Sequence, residues 1–224
     1  MKKINSSLSF LVFALFFGIF LNNSCTHDDD ITTLIPPSTF EYGDDVVSTS
    51  DGFNFDKTHS STRWETAYLG SSALLTGRFN SFAFTAEFDQ QDLENSSING
   101  SVVLSTVNTG EPGRDAGCLL GTFGTADSDE ATFASTSITE DGDGAYIIKG
   151  DLTFHGVTSE VTGTLKYVGT TTFDENSGIN GAPLKVAGLI VTFEMNAKTV
   201  FNIESGSIAD RVVVIASGQF KQPI

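Results

Sequence analysis

Residues 145–167 read AYIIKGDLTFHGVTSEVTGTLKY and predict two β-strands joined by a tight turn at Gly156. Apolar and polar side chains alternate on both sides of this turn, which is the period of a strand with one buried face. Because the other face is polar, the two strands are predicted to pair antiparallel rather than to belong to a βαβ unit. The shared apolar face carries Tyr146, Ile148, Leu152, Phe154, Val157, Val161, Leu165 and Tyr167.

The same alternation recurs on either side of this hairpin. Residues 82–88 place three phenylalanines on one face, residues 187–195 alternate in the same way, and residues 212–220 are typical of a final strand. Turns rich in Asn, Asp and Gly separate these runs. One short helix is predicted over residues 114–120. The chain is therefore predicted to form an all-β domain with one short helix.

This set of strands predicts either a sandwich of two sheets or a closed barrel, because long open edges invite aggregation. Both architectures fit the alternation. The length of several strands and the crowding of Phe on their apolar faces favour a closed antiparallel barrel of about eight strands. A barrel of that size either fills its interior with side chains or holds one small ligand.

Residues 1–24 have the layout of a secretory signal peptide. Lys2 and Lys3 precede an apolar run at residues 8–21, which is shorter than the roughly 20 residues of a spanning helix. The alternative is an uncleaved membrane anchor. Residues 25–45 are polar and acidic and contain a Pro-Pro pair, which predicts an extended linker. The folded domain is predicted to span residues 46–224.

The charge of the chain argues against two kinds of partner. Removal of residues 1–24 leaves 10 basic and 28 acidic side chains, a net charge of −18. Such a surface repels the phosphate backbone of nucleic acids. It also repels anionic lipid, so contact with a membrane would need a covalent tether.

Several motifs in order along the chain resemble those of one known family. Residues 150–158 read GDLTFHGVT, and they follow Arg114-Asp115 and a Phe133-Ala134-Ser135 strand at suitable distances. Upstream, residues 75–82 read LTGRFNSF. On these motifs the chain resembles the YceI-like, polyisoprenoid-binding family from about Gly52 to Phe220.

The resemblance implies a lipocalin-like antiparallel barrel with a long hydrophobic cavity. In that family the cavity holds a polyisoprenoid tail, such as that of a quinone-type lipid, so a bound isoprenoid lipid is the expected partner and no other cofactor is expected. The chain departs from the family at Ala116-Gly117 after Arg114-Asp115, and residues 125–130 resemble a lengthened loop. Either departure would reshape the mouth of the cavity, and the identity of the ligand depends on that shape.

The end of the predicted signal peptide resembles the lipidation site of bacterial lipoproteins. Cys25 would be the lipidated residue, and Asn22 and Asn23 depart from the usual small and apolar residues before it. The acidic residues 26–30 (THDDD) resemble a surface-display signal of some Bacteroidetes lipoproteins. The expected location is therefore the cell envelope, on the outer membrane and exposed at the surface.

The apolar faces supply the candidate ligand contacts. Alternation decides which residues share a face, but it leaves open whether they contact a ligand or pack on one another. The second case would give a structural or partner-binding lipoprotein with a filled barrel. The candidate ligand contacts are Trp64, Phe82, Phe84, Phe88, Ile148, Leu152, Phe154, Leu165, Tyr167, Leu189, Val191 and Phe193.

Arg114 and Asp115 have two interpretations. They could clamp the headgroup of a lipid, or they could form an ion pair that holds the short helix against the barrel. Cys118 is predicted to be a buried and unreactive thiol.

The sequence gives little support for catalysis or for a metal site. His59 and Ser60 are adjacent, and adjacent residues of a strand point to opposite faces, so they cannot act together as base and nucleophile. There is no G-x-S-x-G or H-E-x-x-H motif. Residues 141–144 (DGDG) lack the spaced acids of a calcium loop and are predicted to be a hairpin turn. A binding protein rather than an enzyme is expected.

Overall fold

The computed structural model describes residues 46–118, 129–142, 144–174 and 182–224. The predicted signal peptide, the linker, Cys25 and most of the predicted loop at 125–130 lie outside these residues. Within them, strands of seven residues or more are β3 (Ser61–Tyr68), β4 (Ala73–Phe79), β5 (Phe82–Phe88), β6 (Ser97–Val103), β8 (Glu130–Gly142), β9 (Ala145–Phe154), β10 (Val157–Phe173), β11 (Leu184–Asn196) and β12 (Ile208–Pro223).

Three two-residue strands and short helices complete the described elements. The short strands are β1 (Val47–Ser48), β2 (Asn54–Phe55) and β7 (Val107–Asn108). The α-helix α1 spans Pro112–Gly117, and three 3₁₀ helices span Lys57–His59, Leu93–Asn95 and Leu104–Thr106.

All described strand pairs are antiparallel, and the long strands follow one another around a curled sheet. The order is β1-β5-β6-β8-β9-β10-β11-β12-β3-β4-β7. The strands β4 and β5 run in the same direction on opposite edges of this sheet, and only Asn80 and Ser81 separate them in the chain. If β4 and β5 are counted as one strand position in the barrel, the nine long strands form a ring of eight positions. The prediction of an all-β antiparallel barrel of about eight strands with one short helix is confirmed.

Short segments bridge the two sheet edges where β4 and β5 diverge. At one end, β7 continues the run from β6 and pairs with β4 at Phe79, and Ser81 O accepts from Val103 N at 2.9 Å. At the other, β1 pairs with β5 and β2 pairs with β12. The barrel is therefore completed by chain connections rather than by a continuous ladder of hydrogen bonds.

The β9–β10 hairpin is confirmed in type, register and face. Phe154 pairs with Val157, and His155 and Gly156 form the turn with φ of +52° and +73°. Tyr146 and Leu165 are both buried on the predicted inner face, whereas Lys149 on the other face is exposed. The alternation arises because successive side chains of a strand point to opposite faces.

The short helix begins earlier than predicted. Its first residue is Pro112, which suits the first helical position, and the Glu111 carboxylate accepts from Gly113 N and Arg114 N at the N-cap. No helix in the described part of the chain is long and apolar enough to cross a bilayer.

Candidate functional site

An elongated apolar cavity lies inside the curled sheet. The cavity has a volume of about 140 Å³. A single water needs about 10–15 Å³, so this space is roughly ten times larger. Along β11 the lining runs from Leu189 to Met195, about 20 Å at 3.3 Å per residue.

The lining comes from β3, β4, β5, β6, β8, β9, β11 and β12. Its side chains are almost all apolar, and it includes the thiol of Cys118 next to α1. The main lining side chains are Thr62, Trp64, Thr66, Leu75, Phe79, Phe84, Ile98, Val102, Leu104, Ala131, Phe133, Leu152, Phe154, Leu189, Val191, Phe193, Met195, Ile203, Ile208, Val212, Val214, Ala216 and Phe220.

The aromatic rings of this lining lie against glycines in neighbouring strands. Trp64 pairs with Gly77, and a Cβ added at Gly77 would lie 2.4 Å from the indole. Phe84 pairs with Gly100 in the same way, at 3.0 Å. Because a glycine has no side chain, each ring can lie flat on the wall instead of extending across the interior. The arrangement therefore keeps the space between the walls open.

Two threonines bring hydroxyl groups to this apolar lining. Thr66 is 4% exposed, and its Oγ1 donates to the Arg211 carbonyl oxygen at 2.8 Å. Thr62 is equally buried four residues earlier on the same face, and its Oγ1 has no hydrogen-bond partner among the described residues. Thr62 is thus a polar group in the cavity wall whose hydrogen-bonding capacity is unused.

A second part of the interior is filled by side chains. We call this the filled region, and it consists of Val47, Phe88, Tyr146, Ile148, Leu165 and Tyr167, each 5% exposed or less. The ring of Phe88 lies 5.2 Å from that of Tyr146 and 5.7 Å from that of Tyr167, centroid to centroid.

The polar tips of the two tyrosines in the filled region are hydrogen bonded. Gln90 Nε2 donates to Tyr146 Oη at 2.7 Å, and Tyr167 Oη pairs with Thr170 Oγ1 at 2.5 Å. Because both tips have partners, the tyrosines pack tightly at little polar cost.

Seven of the twelve candidate ligand contacts line the cavity. The seven are Trp64, Phe84, Leu152, Phe154, Leu189, Val191 and Phe193.

The remaining five are not among the residues that line the cavity, and a ligand contact at these positions stays a prediction. Phe88, Ile148, Leu165 and Tyr167 belong to the filled region, where the Phe88 ring contacts the rings of Tyr146 and Tyr167. Phe82 is half-buried at the margin, where its ring lies 6.0 Å from that of Phe55 and under the Lys57 amine at 5.8 Å.

Sequence reasoning missed much of the β12 wall. Val212, Val214, Ala216 and Phe220 line the cavity, but they lie in a run where residues 212–216 are all apolar, so the pattern does not show which face is inward. It also missed Thr62 and Thr66. Their position two residues either side of Trp64 was the available signal, since it places all three on one face.

Arg114 and Asp115 have different surroundings. The Asp115 Oδ1 accepts from Thr109 N at 2.7 Å and from Thr109 Oγ1 at 2.6 Å, and these hydrogen bonds hold the pKa of Asp115 below its ordinary value. Asp115 therefore ties α1 to the chain after β7 by hydrogen bonds. The Arg114 side chain is exposed. The headgroup role of this pair stays a prediction.

Cys118 is buried, as expected, and burial raises the pKa of its thiol. His59 and Ser60 belong to a structural junction instead of a catalytic pair. His59 Nδ1 lies 2.6 Å from Asp56 Oδ2, and Lys221 Nζ lies at the same distance from that oxygen. Ser60 Oγ donates to the Asp56 carbonyl oxygen and accepts from Gln219 N. In the described residues no group of three or more His, Cys, Asp or Glu side chains could hold a metal ion.

Comparison with known proteins identifies relatives over most of this barrel. A model of the YceI-like domain matches residues 53–220. A UPF0312 protein of Staphylococcus aureus is 31% identical over 166 residues, which cover 70% of this chain and 88% of that protein. A UPF0312 protein of Vibrio parahaemolyticus is 35% identical over 112 residues, which cover 50% of this chain and only 59% of the relative's length.

One solved structure shares the fold at low sequence identity, and a second aligns more weakly. The crystal structure of BcnA from Burkholderia cenocepacia aligns with 74% of this chain and 99% of its own, with a TM-score of 0.57 and 18% identity. A polyisoprenoid-binding domain from Saccharophagus degradans aligns with 77% of this chain with a TM-score of 0.49 and 15% identity.

Proposed function

Because the chain belongs to the YceI-like family, we propose that it binds a long apolar lipid in the barrel cavity and stores or carries it at the cell envelope. The lipid class is a polyisoprenoid or an isoprenoid quinone. The observation that carries this proposal is the cavity itself, which is apolar, elongated and lined by eight strands.

The cavity can supply the binding energy by desolvation. Each buried methylene contributes about 0.8 kcal/mol, so a fifteen-carbon tail gains about 12 kcal/mol before the costs of association. Those costs are about 4 to 15 kcal/mol, so useful affinity requires close contact along most of the tail. The elongated shape supports a chain-like ligand over a compact one, since a chain can contact both walls along the roughly 20 Å of β11 that line the space.

A tether to the envelope is a separate part of the proposal. The chain after residue 24 has a net charge of −18, which repels anionic lipid surfaces. A lipid on Cys25 would overcome this repulsion and keep the barrel near the outer membrane. We expect Cys25→Ser to move the protein from the membrane fraction to the soluble fraction, measured by fractionation of the producing cells. Continued membrane retention would favour an uncleaved anchor.

The identity of the proposed ligand can be tested with the protein purified in the form that the producing cell makes. Native mass spectrometry of the purified protein, followed by organic extraction, should reveal a stoichiometric long-chain isoprenoid. The protein's lipid-free mass, unchanged after incubation with polyprenols and quinones, would contradict the proposal. That result would favour a structural or partner-binding lipoprotein.

A matched pair of variants ties such a lipid to the cavity. Ala216 lines the cavity, whereas Ile215, its neighbour in β12, is absent from the lining and pairs with exposed Arg63. Ala216→Phe should lose most of the bound lipid because the ring takes up ligand space. Ile215→Phe adds a ring to the outer face and should retain the lipid. Equal retention by both variants would place the lipid elsewhere.

A further inference from the structure

The tip of the β3–β4 hairpin exposes two leucines to solvent. Leu69 is 61% exposed and Leu74 is 65% exposed. The other large apolar side chains with such exposure in the described residues are Val46 and Ile224, which lie at the two ends of the described chain. The two leucines thus form an exposed apolar pair at one turn, far from the ends of the described chain.

The backbone holds Leu69 outward in an unfavourable conformation. Its φ is +48°, and that of Gly70 is +82°. Two consecutive positive φ values are usual for Asn-Gly, and a branched apolar residue is a rare occupant of the first. The turn is fixed, because Leu69 N donates to Ser207 O at 2.7 Å and Ser72 Oγ donates to the carbonyl oxygens of Tyr68 and Leu69. The fixed turn therefore keeps the Leu69 side chain exposed to solvent.

The charge pattern indicates what this hairpin contacts. Residues 66–77 carry no charged side chain, although the whole chain has a net charge of −16. The acidic surface of the protein is repelled by anionic headgroups. Its contact with a bilayer that has no anionic headgroups gains little free energy. An uncharged tip with two leucines and the neighbouring Tyr68 has the composition of a segment that enters the headgroup layer.

The hairpin grows directly out of the cavity wall. Thr66 of β3 pairs with Leu75 of β4, and both line the cavity. Tyr68 pairs with Ile208, another lining residue. A bilayer in contact with residues 69–74 would therefore lie beside one end of the cavity.

From these observations we infer that residues 69–74 dock on the surface of a zwitterionic phospholipid bilayer, and that this contact speeds the exchange of lipid between bilayer and cavity. The docking step stands independently of ligand identity, whereas the exchange step rests on the proposed function.

Hydrogen–deuterium exchange tests the docking step at the hairpin itself. The full chain is compared with and without vesicles of phosphatidylcholine, so that any contribution from its N-terminal residues is common to all variants. Exchange of the peptide that contains residues 69–74 should slow when vesicles are added, and exchange at the His155–Gly156 turn should not. Exchange at the hairpin that is unchanged by vesicles would overturn the inference.

The double variant Leu69→Asn/Leu74→Thr removes both apolar side chains and suits the local backbone. Asn is favoured at a positive φ, and Thr is favoured in strands, so thermal stability should be kept or raised. Its vesicle-induced protection should fall roughly tenfold, since two leucines no longer leave water. The matched control Val46→Thr/Ile224→Thr removes two exposed apolar side chains elsewhere and should keep the protection. Equal protection in both double variants would contradict the assignment to this hairpin.

Lipid uptake separates this inference from the proposed function. Vesicles that carry a fluorescent polyprenol are mixed with each protein, and transfer is followed in time. The hairpin variant should take up lipid about tenfold more slowly than the control variant, with the same final amount bound. Equal rates would overturn the exchange step. No uptake by any protein, together with vesicle-induced protection of residues 69–74, would overturn the proposed function and leave docking intact.

Discussion

The filled region and the cavity use the same residue types in opposite ways. In the filled region, Phe88 packs edge to face on Tyr146, with an interplanar angle of 79°. In the cavity wall, Trp64 lies on Gly77 and Phe84 on Gly100, so the rings cover the wall. Rings also meet one another in the cavity wall, where Phe133 stacks on Phe193 at 5.6 Å between ring centroids, so the glycines under the wall rings are what distinguishes the cavity.

This difference shows why the abundance of Phe alone leaves the state of the barrel undecided. The 13 phenylalanines of residues 46–224 fit a plugged barrel and an open one equally well. The residues across the strand pairs differ, because Phe193 of the cavity wall faces Gly163 whereas Tyr167 of the filled region faces Leu189. A single chain thus contains both alternatives that the sequence had left open, in different parts of one barrel.

Removal of a ring should cost most in the filled region. Phe88→Ala should lower the free energy of unfolding by about 3 to 5 kcal/mol, because Phe88 is fully buried and its neighbours cannot close the hole. Phe84→Ala should cost about 1 to 2 kcal/mol, since this ring is half-buried and already borders open space. Urea unfolding of lipid-free protein measures both. Equal losses would break the distinction between the two regions.

A side chain placed under a ring of the cavity wall should push that ring into the cavity and reduce the open space. In Gly77→Ala the new Cβ would lie 2.4 Å and 2.6 Å from two atoms of the Trp64 indole, so the ring must move inward. We expect a loss of about 1 to 3 kcal/mol in stability together with weaker lipid binding. Gly206→Ala is the control, because nothing lies within 4 Å of its added Cβ. Normal binding by Gly77→Ala would show that the wall glycines do not hold the cavity open.

Acid should loosen the closure of the filled region. Glu87 accepts hydrogen bonds from Ser48, Thr49 and Ser50, which attach β1 to β5. Burial raises the pKa of Glu87, but these hydrogen bonds together outweigh it and hold the pKa below its ordinary value. Because the folded pKa is lowered, this stabilisation is present above the ordinary pKa of about 4.3 and is lost as the pH falls through the folded value.

Glu87→Gln tests that closure. The variant should lose about 1 to 2 kcal/mol at pH 7, and its melting temperature should fall less than that of the wild type between pH 6 and pH 3. Thermal unfolding followed by circular dichroism at several pH values measures this. Parallel curves for the two proteins would show that Glu87 does not carry this part of the acid sensitivity.

The two cavity threonines should respond with opposite signs. Thr62→Val removes a buried hydroxyl that lacks a partner and should stabilise the lipid-free protein by about 1 kcal/mol. Thr66→Val removes a hydroxyl that donates to Arg211 O and should destabilise it by about the same amount. Both changes keep the shape of the side chain on the same face of β3. Chemical denaturation of the pair distinguishes them, and a loss of stability in Thr62→Val would mean that its hydroxyl is paired after all.

The sequence predicted which residues face inward better than it predicted whether those residues line the cavity or pack in the filled region. Alternation placed Leu152 and Leu165 on inner faces, and both are buried there. It could not tell that Leu152 borders the cavity and Leu165 the filled region, since that depends on register across β8, β9 and β10. The inward face of β12 could not be predicted, because residues 212–216 are all apolar and show no alternation with polar residues. The family resemblance contributed what local pattern cannot, namely that the barrel encloses a cavity.

Methyl NMR with an added polyprenol tests the division into a filled region and a ligand cavity most directly. Titration should shift the methyl signals of Leu152, Leu189 and Val191, which line the cavity, and should leave those of Ile148 and Leu165 in place. Shifts of equal size in both groups, or shifts confined to Ile148 and Leu165, would contradict the account.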